Sequence, residues 1–509
     1  MFKNYFKIAI RSLLKNSVYS FINIAGLSIG LACSILILLW VWDEVTFNQY
    51  FPNYKNMYKM RLNAKVDKGI ETGDAMAFPL RDVLLQQDSR IKNVIVTNWG
   101  EGGLLGVGDK KLNKVGLWAT ESFLSSFGFT MLHGDATTAL KDPSSIVLSK
   151  ATAIALFGDV DPTNKVIRVD DATDLRVVGV YEDLPDNTSF ERLDFVIPFA
   201  HYEATQSWVR RSKENWKNHS FQMYVELQPG ADMAEVNSSI AGLESTHNPD
   251  AKGIVELFLH PMDHWHLYSR FENGKEAGGM IEYVRLFSII ALFVLVIACI
   301  NFMNLATARS ESRAREVGIR KSIGSRRKDL VFQFLGESIF ISFVAFLAAV
   351  LLVEVSLPFY NSIVSKHLQI EYTNPYLWLG ALAIVLITGT LSGSYPALYL
   401  SSFHPVKVLK GRIKLGRNAA TPRQILVTLQ FGFSILLMAG TVVIYQQIQH
   451  VRSRDVGYNR ENLLLFWTTT DIEKNYNALK NDLINSGVVE SVCKSNSPIT
   501  SIFSTNELQ

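Results

Sequence analysis

Five long apolar runs limit this chain's fold more tightly than any other feature of it. A helix that crosses a bilayer needs about 20 mostly apolar residues, and runs of that kind place spans at 16–42, 283–307, 331–357, 376–400 and 424–449. The first, "NSVYSFINIAGLSIGLACSILILLWVW", carries no charge, and the second has the uncharged core "LFSIIALFVLVIACI". The first is too long for a cleaved leader and no A-x-A-like site closes it. Composition agrees: the mean hydropathy is +0.13 and only 19% of residues are charged. A net charge of +3 over 509 residues is not the footprint of a nucleic-acid binder. Cys33, Cys299 and Cys493 provide neither a disulfide framework nor a CxxC metal spacing.

Lys and Arg in short flanks set the expected orientation. Lys3, Lys7, Arg11 and Lys15 put residues 1–15 in the cytoplasm. The loop 308–330 holds eight basic residues against three acidic ones, and 401–423 holds Lys407, Lys410, Arg412, Lys414, Arg417 and Arg423; both fall on the same side. The loop 358–375 has only Lys366 and falls outside, as do 43–282 and 450–509. Trp40, Trp42 and Trp378 then sit at outer interfaces, where indole rings are favoured. The expectation is a multi-pass protein of the cell (inner) membrane, in contact with its lipids.

Residues 43–282 are long enough for a folded domain. "SSIVLSKATAIALFGD" reads as a strand, a Ser149 cap and a short helix ended by Gly158. "KVIRVDDATDLRVVGVYEDLP" reads as a hairpin turning at Asp170–Asp174, and "RLDFVIPF" as another strand. The mixture predicts an α+β or α/β domain. It contains no GxSxG, HExxH, GxxxxGK[ST] or GxGxxG. "HPMDHWH" offers His260, Asp263, His264 and His266 as zinc ligands. On a strand the three imidazoles share a face by period two, as on any solvated edge, so no metal, cofactor or catalytic residue is expected.

The loop between spans two and three carries a more specific signal. "IACINFMNLATARSESRAREVGIRKSIGSRRKDLVFQFLGES" resembles the second span and first cytoplasmic loop of MacB/FtsX-type ABC transporter permeases. The matching residues include Asn301, Asn304, Arg309, the run Arg315 to Lys321, Gly324, and Gln333-Phe334-Leu335 with Glu337-Ser338. "GTLSGSYPALYLSSFHPVKVLKG" adds Gly389, Gly393, Pro396, Ala397, Ser401, Pro405, Leu409, Lys410 and Gly411. The region 43–282 resembles the MacB-like extracytoplasmic core domain, through "DEVTFNQYFPNYKNMYKM" and the strand–helix–hairpin stretch above. The resemblance implies an α-helical transmembrane bundle with a large α+β core domain inserted between helices 1 and 2. In detail it is similar to long two-repeat permeases of Bacteroidetes-type bacteria, so the chain reads as an N-terminal part in which 450–509 opens a second, truncated outside domain.

With no P-loop in the chain, the resemblance implies a separate cytoplasmic ABC ATPase subunit. It implies that Arg315, Glu316, Val317, Gly318, Ile319, Arg320, Lys321 and Gly324 form the coupling helix, and that ATP-driven motion passes to the outer domain by mechanotransmission. Glu316 and Arg320 are spaced to pair on a helix, and Val317, Ile319 and Ile323 are expected to supply apolar contact within a charged rim. The resemblance is compatible with efflux, with a permease dimer or pseudo-dimer and with a periplasmic adaptor. An FtsX-like signalling permease that activates a periplasmic enzyme or sensor without transport uses the same residues. Gly26-x-x-x-Gly30 and Gly389-x-x-x-Gly393 permit close helix packing, within the chain or across a dimer seam. Pro396 is expected to break span four and redirect Ser401–Gly411 along the membrane surface. Glu354 lies inside the third apolar run near its outer end, within reach of headgroups.

Overall fold

The computed structural model describes residues 17–308, 310–402, 417–455, 457–458, 462–466, 468, 470–498 and 500. Five helices, Ser17–Val45, Met280–Ala308, Arg327–Val364, Pro375–Ser401 and Arg417–Ser453, coincide with the five apolar runs, and all are long and apolar enough to cross a membrane. Each extends past its predicted span, because helical hydrogen bonding continues beyond the apolar stretch into flanking polar residues. The third is the longest, running 38 residues with Pro358 inside it.

Small residues let these helices approach. Leu27, Leu31, Ala32, Ala298, Phe302, Ala345, Ala349 and Val353 form a core where the first three spans meet. A Cβ on Gly30 would stand 2.5 Å from Ala298 Cβ, one on Gly26 3.2 Å from Asn301 Nδ2, and ones on Gly389 and Gly393 2.6 Å from Ile339 Cα and Ser338 Cβ. Both GxxxG pairs therefore face helices of the same chain. The Ser28 hydroxyl donates to Ala345 O (3.0 Å) and the Ser34 hydroxyl to Ala291 O (3.1 Å), adding polar contacts across the helix seams. The fifth span stands apart, touching the second through the stacked rings of Phe293 and Phe433 at 4.7 Å.

Pro396 does not break span four, contrary to the expectation from sequence: the helix continues through it to Ser401. Pro396 is buried among neighbouring helices, a setting that tolerates proline in membrane helices. Of Ser401–Gly411, residues 403–411 lie outside the described residues.

Between spans one and two sits an α+β domain. Its large sheet runs from Phe195–Pro198 through Ser145–Ser149, Thr173–Tyr181, Val166–Val169, Glu101–Val107, Lys110–Ala119, Ile91–Thr97, His219–Leu227 and Met57–Val66 to Val255–Pro261. Most neighbours are antiparallel, while Ser145–Ser149 lies parallel to Thr173–Tyr181 and Phe195–Pro198 parallel to Lys110–Ala119. Ser149 caps helix Lys150–Phe157 by accepting from the Thr152 amide, and Gly158 closes it at φ 70°. The hairpin turn is tighter than predicted: Asp170 and Asp171 adopt φ 52° and 54°, and the second strand starts at Thr173. One core lies between the sheet and helices such as Leu80–Gln87 and Met233–Ile240. A second gathers Phe51, Phe123, Phe127, Phe129 and Phe190 around buried Tyr181, with ring centroids 5.0–5.9 Å apart in edge-on and tilted pairs. After the fifth span, the helix Tyr476–Asn485 buries no residue and Leu463–Phe466 is exposed.

Candidate functional site

The basic loop folds as a helix, Ser310–Ser322, at the end of the bundle away from the domain. Its termination is encoded locally. The Ser325 amide donates to Arg320 O (3.0 Å) and the Gly324 amide to Lys321 O (3.1 Å), while Gly324 takes φ +103°. This is a Schellman end, which requires a left-handed residue at that position. No atom lies within 4 Å of a Cβ there, so backbone conformation rather than close approach accounts for this glycine. Span three then begins at Arg327, with the Asp329 carboxylate accepting from the Arg326 amide at 3.2 Å.

The helix is tied to two spans. Arg320 pairs with Glu316 at 2.6 Å, the i,i+4 contact expected from spacing, and also donates to Gln333 Oε1 of span three. Gln333 Nε2 passes the chain on to Glu337 Oε1 at 3.1 Å. Lys321 Nζ donates to Ser401 O at 2.7 Å, at the end of span four, and Arg327 Nε to Ser401 Oγ at 3.4 Å. Val317, expected to contribute to a contact surface, is instead 1% exposed and packs with Leu330, Phe334, Ala397 and Leu400. Gly318 beside it is buried. Ile319 and Ile323 are 48% and 81% exposed. Arg315 belongs to the helix, with its side chain outside the described residues. One face of the helix is therefore an anchor, and the other presents two isoleucines and Glu316.

Gln333 and Ser401 complete this arrangement, yet neither stood out as a partner of the helix. Their donors lie 13 and 80 residues away in sequence, beyond any periodic pattern.

The histidine run does not share one strand face. The strand ends at Pro261 and Met262–His264 form a 3-10 turn, so the side chains diverge. His266 meets Glu44 at the end of span one. His260 and His264 gather around Glu276, at 3.3 and 3.0 Å from its Oε1. These three side chains are close enough to share a metal ion. However, Arg61 Nε donates to His260 Nδ1 at 3.2 Å, which places the imidazole proton on Nε2, the atom that faces Glu276. His264 Nδ1 hydrogen-bonds to Glu276, whereas His260 Nε2 faces the same carboxylate without hydrogen-bond geometry. Burial, then the charges of Arg61, His264 and Lys59, push the pKa of His260 down to about 3 and keep its imidazole neutral. Glu354 accepts a hydrogen bond from the Tyr372 hydroxyl, and Trp378 Nε1 donates to Tyr372 O at 2.8 Å, which ties this carboxylate to the loop between spans three and four.

Apolar spans, an inserted α+β domain and a short anchored helix at the far end define a helical membrane protein of the permease class. Family comparison gives the lineage. The model for the MacB-like periplasmic core domain matches residues 20–243, and that for the FtsX-like permease C-terminal domain matches 288–405. The chain belongs to the MacB/FtsX-type ABC transporter permeases. It is similar to the macrolide export ATP-binding/permease protein MacB of Bdellovibrio bacteriovorus, at 24% identity over 79% of this chain and 60% of the relative. It is also similar to the pyoverdine export ATP-binding/permease protein PvdT of Pseudomonas putida, at 33% identity over 24% of this chain and 18% of the relative. The chain thus spans less than two thirds of the length of these curated relatives. Among solved structures, the periplasmic region of MacB from Actinobacillus actinomycetemcomitans matches 41% of this chain and 90% of its own, at 17% identity and a TM-score of 0.31.

Proposed function

We propose that this chain is the permease part of an ABC export system and receives ATP-driven motion from a separate cytoplasmic ATPase at helix Ser310–Ser322. The observation that carries the reading is the two-faced character of that helix. Val317, Arg320 and Lys321 fasten it to spans three and four, while Ile319 and Ile323 are left uncovered. A partner that displaces the helix moves both spans with it. Exposed apolar residues within a charged surface are a common form of protein contact. The positive charge of the surrounding loop supports a cytoplasmic location for this end and a periplasmic one for the MacB-like domain. The motion then reaches that domain mechanically, without a polar path for substrate between the spans.

The test is co-purification of the full-length chain with the ABC ATPase of its native host. Ile323→Asp and Ile319→Asp are expected to lose the ATPase while keeping the melting temperature. Gly318→Trp suits this purpose poorly, because Gly318 is buried and the change disturbs the anchor itself. Retention of the ATPase by the double Asp variant contradicts the proposal.

A further inference from the structure

Spans three and four have no covalent link to the α+β domain, unlike spans one and two, which run directly into it. Any motion they carry must cross through contacts. Span three is a continuous helix from Arg327, beside the anchored helix, to Val364; its 38 residues at 1.5 Å each make a rod of about 57 Å. Its far end carries a loop held in one shape. Ser365 turns at φ 54°, the Lys366 amide donates to Asn361 O (3.2 Å), and the Asn361 side chain both donates to Leu368 O (3.0 Å) and accepts from the Leu368 amide (3.2 Å).

This loop presents Lys366 to the end of span one. Its ammonium stands 2.5 Å from Asp43 Oδ2 and 2.6 Å from Glu44 Oε1. The Glu44 side chain is 2% exposed, and its other oxygen meets His266 Nε2 of the domain. His266 in turn stacks on Phe47 at 3.9 Å. The turn after span one is sewn to the domain by Asn48, fully buried at φ 66°. Its side chain accepts from the Ser189 amide (2.7 Å) and donates to Ser189 Oγ (3.0 Å) and Met262 O (3.1 Å). Burial lowers the Lys366 ammonium pKa, but the hydrogen bonds it donates to Asp43 and Glu44, with their negative charge, outweigh this and hold it above its ordinary value.

We infer that Lys366 is a positioning residue that locks the far end of span three to the Asp43–Glu44–His266 cluster, making this half-buried ionic joint the point where span-three motion enters the domain. The inference rests on the proposed function for the source of the motion, while the joint itself is a property of this chain alone. A buried carboxylate that loses its partner is strongly disfavoured, so the joint holds as a unit or opens as a unit. The neighbouring His367–Asp186 contact, 2.6 Å but with His367 86% exposed, adds little.

Hydrogen exchange on the full-length chain in nanodiscs tests this in two arms. Without ATPase, Lys366→Met is expected to speed exchange in 43–49 and 262–267 at least tenfold, leave the strand Ile91–Thr97 unchanged, and be rescued by Lys366→Arg. Unaltered exchange in Lys366→Met overturns the joint. With the native ATPase bound, wild type is expected to show a nucleotide-dependent change in those segments. Lys366→Met should lose that change while binding and hydrolysis stay within twofold. An unchanged nucleotide response in Lys366→Met overturns the transmission role, which a merely structural lysine would not have. Failure of the wild type to bind ATPase sinks the proposed function instead, and the first arm still judges the joint.

Discussion

Val317 and Ile323 lie six positions apart in one basic segment and do different things. Val317 is enclosed by Leu330, Phe334, Ala397 and Leu400, whereas Ile323 is open. Val317→Ala removes about two methylene equivalents and is expected to cost about 1.5 kcal/mol. Ile323→Ala should be nearly neutral in a thermal melt of the detergent-solubilised protein. Asn48→Ala removes three hydrogen bonds at about 1 kcal/mol each and leaves a non-glycine residue in the left-handed region. A stability loss of about 3 kcal/mol is expected, only the smaller backbone share of which Asn48→Gly would recover. His260 gives a pH dependence whose sign is fixed. Unfolded histidine titrates near 6.5 and folded His260 near 3, so the unfolded chain binds the extra proton between those values. Stability is therefore full above about pH 6.5 and falls as the pH drops towards 3, by about 2 kcal/mol between pH 7 and 5. Domain melting temperatures across that range should fall less steeply in His260→Gln; identical slopes would contradict the assignment.

At the scale of elements, local signals were legible and long-range partners were not. Ser149 and Gly158 marked both ends of a helix because a cap and a left-handed glycine act within one turn. The apolar runs marked the spans because length and composition decide them. Gly389 and Gly393 were legible as packing residues, but which helix they meet depends on the fold. That helix is span three, and Gly389→Leu, forced against Ile339, is expected to lower the melting temperature by several degrees, whereas Gly440→Leu on the open fifth span should not. Pro396 misled because the rule that proline ends a helix assumes no neighbours to enclose the ring. The histidine run misled because a single 3-10 turn redirects its side chains. In the sequence Lys366 stands out only as the lone Lys or Arg of a short loop. Its partners Asp43 and Glu44 lie over 300 residues earlier, at the end of another span, so no spacing pattern points to them.

On the scale of the whole molecule, the α+β domain and the helix Ser310–Ser322 lie at opposite ends of the bundle, and the proposed function makes them the two ends of one mechanical path. The MacB-like domain continues spans one and two, and the anchored helix Ser310–Ser322 joins span two to span three at the other end. Span three connects the two ends as one helix, with Arg320–Gln333–Glu337 near its start and Lys366 just past its finish. Within "REVGIRKSIG", Val317 and Arg320 anchor the helix to its neighbours, while Ile319 and Ile323 stay exposed, and it is these two that the proposed function assigns to a partner. The most direct measurement of the central claim is site-specific photo-crosslinking in native membranes, with a benzophenone side chain at Ile323 and, as control, at Leu464, which is also exposed but lies beyond span five. A covalent adduct between residue 323 and a nucleotide-binding ATPase subunit is expected, and none from residue 464. Absence of an ATPase adduct at 323, or an equal yield at 464, would contradict the proposed function.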